Sequence, residues 1–333
     1  MSKRWLYSLQ LIFFITLVFV LVTGCYSHPN QNIQSANSKP VTSECRIIKH
    51  PLGETCIPLH PQRIIAMDED ILEILVALDL KPIAVAINFD EWSSREKQLW
   101  QKAEGIDSIV IGNHGILNLE KMLLLKPDLI LGLAESTDRK SYELFSQIAP
   151  TVTVDYAQTA WRDVLLRVGN IIGKTEQAQK LIAEFQQRIE KLRVIVKNKL
   201  GKTKISVVRV YNYFHKTIEF RSNFSFPGSL LVELGLSFPE KQNQIPTSPG
   251  FPFVFASLER LDLLDADVMF VTLDAGGEEN FKKFQASPLW QKLKAVKNNC
   301  VYTVDSGYWI FGNIMSANAI LDDLDKYLLQ QCR

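Results

Sequence analysis

The 333-residue sequence contains no GxSxG, no HExxH, no CxxC and no GxxxxGK[ST] segment. It therefore lacks the serine-hydrolase and zinc-protease constellations, and also the phosphate-cradling loop of proteins that hydrolyse ATP. Only five histidines and five cysteines occur. No His/Asp/Glu cluster has ligand spacing, which argues against direct capture of a free metal ion. An excess of one charge is missing too, with 37 Lys+Arg against 36 Asp+Glu. Binding a phosphate backbone needs a basic face, so nucleic acid is not the expected partner. What is present is 47% hydrophobic and 22% charged residues, enough sequence for substantial cores in one or two domains.

The N-terminus reads as targeting. Lys3 and Arg4 precede an apolar run from Leu11 to Val22 broken only by Thr16. As a helix that run would span roughly 18 Å, short of a bilayer core of roughly 30 Å, so a signal peptide fits better than a membrane span. It ends in Val22-Thr23-Gly24-Cys25, which resembles the lipobox of bacterial lipoproteins. The resemblance implies cleavage before Cys25 and its lipidation. Tyr26–Glu44 is rich in Ser, Asn, Gln and Pro and reads as a flexible tether.

Four further cysteines follow, and outside the inner membrane pairing is more plausible than metal ligation. Cys45 and Cys56 enclose Pro51 and Gly53, a segment able to fold back as a hairpin and close a Cys45–Cys56 bridge. A Cys300–Cys332 bridge is a second expectation. It requires the C-terminal helix to return beside a strand.

From Arg63 onward, apolar runs alternate with amphipathic stretches. Strands are expected at Ile64–Met67, Ile83–Ala86, Ile109–Ile111, Leu129–Leu133 and Thr151–Val154, with helices such as Asp70–Leu80 and Asn118–Leu125 between them. This alternation specifies a parallel sheet covered by helices. The second half repeats the plan, with strands at Ile205–Val210, Val268–Thr272 and Val301–Val304 and helices at Ser287–Val296 and Asn313–Leu329. Asn118–Asp128 and Ser257–Asp267 align without a gap, each with an N-cap residue, a first-turn Glu and a following apolar strand. Between the halves, Trp161–Lys199 is helical with a break at Gly173. Its second part carries Ala178, Leu181, Ile182, Phe185, Ile189, Leu192 and Ile195 at helical spacing. That helix would span roughly 35 Å and restrain the two halves to modest relative motion. The reading is α/β: a signal peptide (1–24), a tether (25–44), an N-terminal lobe (45–157), a bridging helix region (158–200) and a C-terminal lobe (201–333), with both lobes Rossmann-like.

Several segments, in order, carry a family resemblance: Pro61-Gln-Arg-Ile-Ile-Ala-Met67, Leu72-Glu-Ile-Leu-Val-Ala-Leu78, Asn118-Leu-Glu with Leu124-Leu-Lys-Pro-Asp-Leu-Ile130, Ser146-Gln-Ile-Ala-Pro-Thr-Val152, Phe226-Pro-Gly-Ser-Leu230 and Ala317-Asn-Ala-Ile-Leu-Asp-Asp-Leu324. The chain resembles the periplasmic iron-siderophore binding proteins of ABC importers, of the ferric citrate/hydroxamate type. The resemblance implies two lobes joined by one long helix, a ferric siderophore held in the cleft between them, and delivery to a membrane permease driven by a cytoplasmic ATPase. It also implies a lipid-anchored, monomeric, non-enzymatic protein on the periplasmic side of the membrane. Iron arrives already coordinated, so the protein needs no cofactor; it should offer cations to the ligand's oxygens and aromatic surfaces to its apolar parts.

Arg209, Tyr211, Tyr213, Phe214, His215 and Arg221 supply such groups, Arg209 standing at the end of an apolar strand. The competing arrangement is an internal ion pair for Arg209, with the tyrosines packed under a loop. Trp309 is the preferred contact in Tyr308-Trp-Ile-Phe311. On the N-lobe, loops after strands offer Asp68, Asn113, His114, Glu135 and Ser136, and Asp90-Glu-Trp92 forms another wall. Glu73 and Glu233 match the family's pattern of one acidic docking residue per lobe, read by arginine-bearing pockets of the permease. Haem carried on the same architecture, with His215, Tyr211 or Tyr213 as its axial ligand, cobalamin on that architecture, and a ligand-sensing lipoprotein remain alternatives.

Overall fold

The computed structural model describes residues 45–86, 106–108, 110–111, 116–156, 160–214, 216–310 and 312–329. The signal peptide, the tether with Cys25, the Asp90–Trp92 wall, Asn113, His114, His215 and Cys332 lie outside these residues.

The first element is the expected hairpin, β1 (Cys45–His50) paired antiparallel with β2 (Gly53–Pro58) and closed by the Cys45–Cys56 disulfide. Gly53 at φ +153° makes the turn. Next comes a five-stranded sheet. Its strands are β3 (Ile64–Ala66), β4 (Ala84–Val85), β5 (Asp107–Ser108), β8 (Leu129–Leu133) and β9 (Thr151–Val154), in the order β5-β4-β3-β8-β9 and parallel throughout. Its helices are α1 (Glu69–Ala77), α2 (Leu119–Leu124) and α3 (Arg139–Ser146), N-capped by Asp68, Asn118 and Asp138 respectively. The run expected as one strand at Ile109–Ile111 does not join this sheet. β6 (Val110–Ile111) pairs antiparallel with β7 (Ile116–Leu117) in a hairpin of its own, and the sheet position passes to β5.

Two helices then connect the halves, α4 (Trp161–Ile171) and α5 (Thr175–Leu200). They break at Gly173, whose φ of +75° suits glycine. The 26 residues of α5 reach about 39 Å at 1.5 Å per residue. Its buried positions, Ala178, Phe185, Ile189, Leu192 and Val196, form a single apolar stripe.

The second five-stranded sheet contains β10 (Ile205–Val210), β11 (Thr217–Arg221), β12 (Phe253–Ser257), β13 (Val268–Leu273) and β14 (Val301–Asp305), in the order β12-β11-β10-β13-β14. β10, β13 and β14 are parallel as expected, whereas β11 and β12 add an antiparallel edge. Around it lie α6 (Phe226–Glu233), α7 (Glu278–Gln285), α8 (Ser306–Ile310) and α9 (Ile314–Asp323). The helix expected over Ser287–Val296 is instead a 3-10 turn at Trp290–Lys292 followed by one turn at Lys294–Lys297. The repeated unit keeps its plan and changes its helix type: α2 leads into β8, and a 3-10 helix at Leu258–Leu264 leads into β13.

Strand alternation partitions the core. Ile64 and Ala66 of β3 and Ile205 and Val207 of β10 face one continuous core that also contains Trp161, Phe185 and Ile189. Ile65 faces a separate N-lobe cluster and Val208 and Val210 a separate C-lobe cluster. The bridging helices are thus packed into a core shared by both lobes, which limits how far the lobes can move apart. Among the described residues no helix is long and apolar enough to cross a membrane.

Candidate ligand-binding site

The alternation that sends Ile205 and Val207 into the shared core places Arg209 and Tyr211 on the same face at the C-terminal end of β10. Register does the rest: Arg209 stands opposite Glu219, Glu219 opposite Phe255, and Arg221 opposite Phe253. Three neighbouring strands therefore contribute one continuous polar and aromatic layer. In open α/β sheets this carboxyl-terminal crest is where ligands bind.

The layer's charges are paired. Arg209 Nε and Nη2 donate to Asp274 Oδ1 and Oδ2 at 2.8 and 3.0 Å, the bidentate geometry a planar guanidinium favours. Tyr211 Oη donates to Glu219 Oε2 at 2.6 Å. Arg221 Nε lies 2.5 Å from Glu219 Oε1, as an ion contact without hydrogen-bond alignment. All five side chains are buried. Burial raises the Tyr211 hydroxyl above its ordinary value, helped by Glu219, and it also raises Glu219 against the pull of Arg221. Burial lowers Arg221. It would lower Arg209 as well, but the bond to Asp274 more than offsets it and the guanidinium is raised.

Above this floor the surface is aromatic. Arg209 sits 4.4 Å from the Tyr211 ring centroid and Arg221 5.4 Å from that of Phe253. Tyr211, Tyr213, Phe214, Phe255 and Phe253 form a chain of tilted and edge-on ring contacts. Tyr213 is 57% exposed, Phe255 42% and Phe214 39%, so the solvent-facing part of the layer is aromatic, while Arg209 and Arg221 are buried against Tyr211 and Phe253. Ser225 fixes one border by N-capping α6 through Gly228 N at 3.1 Å. A Cβ at Gly228 would collide with the Ser222 carbonyl next to Arg221, so the Phe-Pro-Gly-Ser turn requires glycine there.

On the N-lobe, Asp68 follows β3 and accepts from Ile71 N at 2.8 Å and Leu133 N at 3.0 Å. Burial and the nearby Asp70 push its carboxyl up to about 7, against those two donors. Glu135 is exposed after β8 and accepts from Tyr156 N at 3.0 Å. The Tyr156 hydroxyl accepts from Gly312 N at 2.8 Å and is 3.1 Å from Gly312 O, joining this lobe to the start of α9. Among the described residues no group of three His, Cys, Asp or Glu is placed to hold a metal ion.

Several expectations change. Trp309 is not a cleft wall. It is 0% exposed, stacks on Phe270 at 4.6 Å and donates Nε1–H to Asp323 at 2.8 Å. Arg209 takes the competing arrangement, an internal ion pair, and Arg221 does the same. Glu73 is 0% exposed and accepts from Asn313 Nδ2. It sits inside the joint between the lobes, where a permease cannot reach it. Glu233 is partly exposed, and both its carboxylate oxygens accept from the one Nη2 of Arg162 at 2.9 and 3.0 Å, while its carbonyl accepts from Arg193. Cys300 is disulfide-bonded, and its expected partner Cys332 falls outside the described residues. Sequence reading missed Glu219, Phe253, Phe255 and Asp274. The signal was available in the alternation of Thr-Ile-Glu-Phe-Arg and in the aspartate just past β13.

The chain matches the periplasmic binding protein family over residues 64–308. It is 32% identical over 324 residues to the probable siderophore-binding lipoprotein YfiY of Bacillus subtilis (strain 168), covering 94% of this chain and 97% of that one. The achromobactin-binding periplasmic protein of Dickeya dadantii (strain 3937) is 29% identical over 272 residues, 80% of this chain and 86% of its own. Among solved structures, Staphylococcus aureus SirA complexed with staphyloferrin B superposes with a TM-score of 0.72 at 25% identity, covering 86% of this chain and all of that one. These matches span nearly all the described residues, and the chain belongs to the periplasmic binding protein family.

Proposed function

We propose that this chain is the substrate-binding lipoprotein of an ABC importer, which captures a ferric siderophore and hands it to a membrane permease. The observation that carries the reading is the exposed aromatic cluster of Tyr213, Phe214 and Phe255, whose rings meet Tyr211 and Phe253, the two rings against which Arg209 and Arg221 are buried. Aromatic faces receive the ligand's apolar parts, and guanidiniums beneath them orient its oxygen-rich core. Iron arrives already wrapped in oxygen ligands, so no resident cofactor is invoked. The names of the relatives support the cargo class, and those named as lipoproteins support anchoring through Cys25. The protein acts as a monomer on the outer side of the cytoplasmic membrane, with the exposed Tyr213 as the C-lobe contact, the paired Arg209, Tyr211 and Arg221 as the polar layer behind it, and Glu135 and His114 on the N-lobe side.

For docking, the burial of Glu73 moves the expectation to the repeated helix–strand units. Each places an exposed glutamate two residues after its N-cap position, Glu120 in one lobe and Glu259 in the other. Two such charges set register with a partner more than they add affinity. Reversing both (Glu120→Lys, Glu259→Lys) is expected to abolish uptake and leave ligand affinity unchanged; unimpaired uptake refutes the assignment.

The binding test is a tryptophan-fluorescence titration of the mature chain with ferric citrate, a ferric hydroxamate, a ferric catecholate, haem and cobalamin, backed by calorimetry. Saturable binding of a ferric complex, with none of its iron-free form, is the expected result. Binding of haem or cobalamin alone, or of nothing, overturns the reading.

A further inference from the structure

The two arginines beneath the aromatic layer do not amount to a cationic floor. Arg209 gives two of its five N–H donors to Asp274, and Arg221 lies against Glu219, which also receives the Tyr211 hydroxyl. Two guanidiniums and two carboxylates balance. Asp274 is 5% exposed and Glu219 0%, so water does little to screen either carboxylate from the arginines or from a ligand resting on the rings above. Burying four charged groups is costly, and a cleft meant only to attract anions would be better served by unpaired arginines.

We propose that Asp274 and Glu219 are specificity-determining residues that cancel the charge of Arg209 and Arg221, so that the cleft favours ferric complexes of low net charge and disfavours the highly anionic tris-catecholates. This rests on the siderophore-binding reading above and refines it. The carboxylates also fix the planes of the two guanidiniums, so the remaining donors present a set hydrogen-bond pattern with no long-range attraction for anions.

The test compares the full mature protein with Asp274→Asn and Glu219→Gln, each titrated with neutral ferrichrome, ferric citrate and trianionic ferric enterobactin. Wild type is expected to bind ferric enterobactin at least tenfold more weakly than its best low-charge complex. Either substitution uncovers one positive charge. At about 7 Å and an effective dielectric of about 20, that charge should raise the enterobactin-to-ferrichrome affinity ratio by at least tenfold. Damage to packing would weaken all three probes together and leave the ratio unchanged, so the ratio isolates charge.

The salt dependence of wild type gives a second readout that requires no variant to fold. A balanced floor predicts less than a twofold change in affinity for ferric citrate between low and high salt, whereas an uncancelled floor loses several-fold. A ratio that stays within twofold in both folded variants, or tight wild-type binding of ferric enterobactin, overturns the proposal. Failure of wild type to bind any of the three overturns the siderophore reading itself.

Discussion

The Asn313–Glu73 joint is the sharpest place to test the reading of the two lobes. Asn313 N-caps α9, its Oδ1 accepting from Met315 N and Ser316 N at 2.9 Å each, while its Nδ2 donates to the buried Glu73 of α1. One side chain therefore ends a C-lobe helix and satisfies an N-lobe carboxylate. Asn313→Ala removes the cap, worth about 1 kcal/mol, and takes one donor from a buried carboxylate, worth about 2–3 kcal/mol. The expected loss is about 3–4 kcal/mol.

Asn313→Asp keeps the cap but brings a second carboxylate against Glu73. It should cost at least as much as the alanine, and adding Glu73→Gln should recover most of the loss. The assay is urea unfolding followed by both tryptophan fluorescence and circular dichroism, with coincident transitions required before free energies are compared and coupling taken from the double-mutant cycle. An Asn313→Ala cost below about 1 kcal/mol, taking the low end of cap values, or an Asn313→Asp variant as stable as wild type, would refute the joint. Glu73→Gln alone should transport normally, because a buried brace has no docking role.

Asp68 carries a pH dependence. Its folded value of about 7 lies above the ordinary 3.8, so the native state holds a proton that the unfolded chain releases, and stability falls as pH rises from about 4 to 7. Thermal melts should show that decline, and Asp68→Asn should flatten it. Trp309→Ala should cost about 3–5 kcal/mol, since the ring is fully buried against Phe270. Tyr213→Ala should barely change the melt and weaken cargo binding about tenfold; calorimetry on both variants separates packing from contact. Replacing Cys45 and Cys56 by serine opens a loop of sequence separation 11 and should cost about 2–3 kcal/mol in urea titrations.

Much of the N-lobe was legible from the chain because its strands are buried on both faces and read as short unbroken apolar runs. Leu129–Leu133 and Thr151–Val154 fall where expected, to the residue. The break at Gly173 and the apolar stripe of α5 were legible for the same kind of reason, one positive-φ glycine and one helical period. β11 and β12 were harder. Thr-Ile-Glu-Phe-Arg of β11 alternates polar and apolar residues and carries no continuous run, and the apolar Phe-Val-Phe-Ala of β12 is too short to tell a strand from a buried helix segment by periodicity. Ser287–Val296 has a helix-starting Ser-Pro, yet its backbone turns twice to seat Trp290 against Phe281, and tertiary packing overrides the local preference.

The sequence alone determined the lobed α/β plan, the bridging helix and the Cys45–Cys56 staple, because each follows from periodicity or short-range spacing. It also brought Arg209, Tyr211, Tyr213 and Arg221 together as candidates, since they sit within 13 positions of one another. Only the tertiary structure decided what those residues do. The partners of Arg209 and Glu73 are Asp274 and Asn313, 65 and 240 positions away, and pairing at that range is set by strand register and helix packing. Whether an arginine is an open cation or half of a buried pair, and whether a glutamate is a docking charge or a brace, depends on which distant side chain shares its water-excluded space, and local sequence does not encode that.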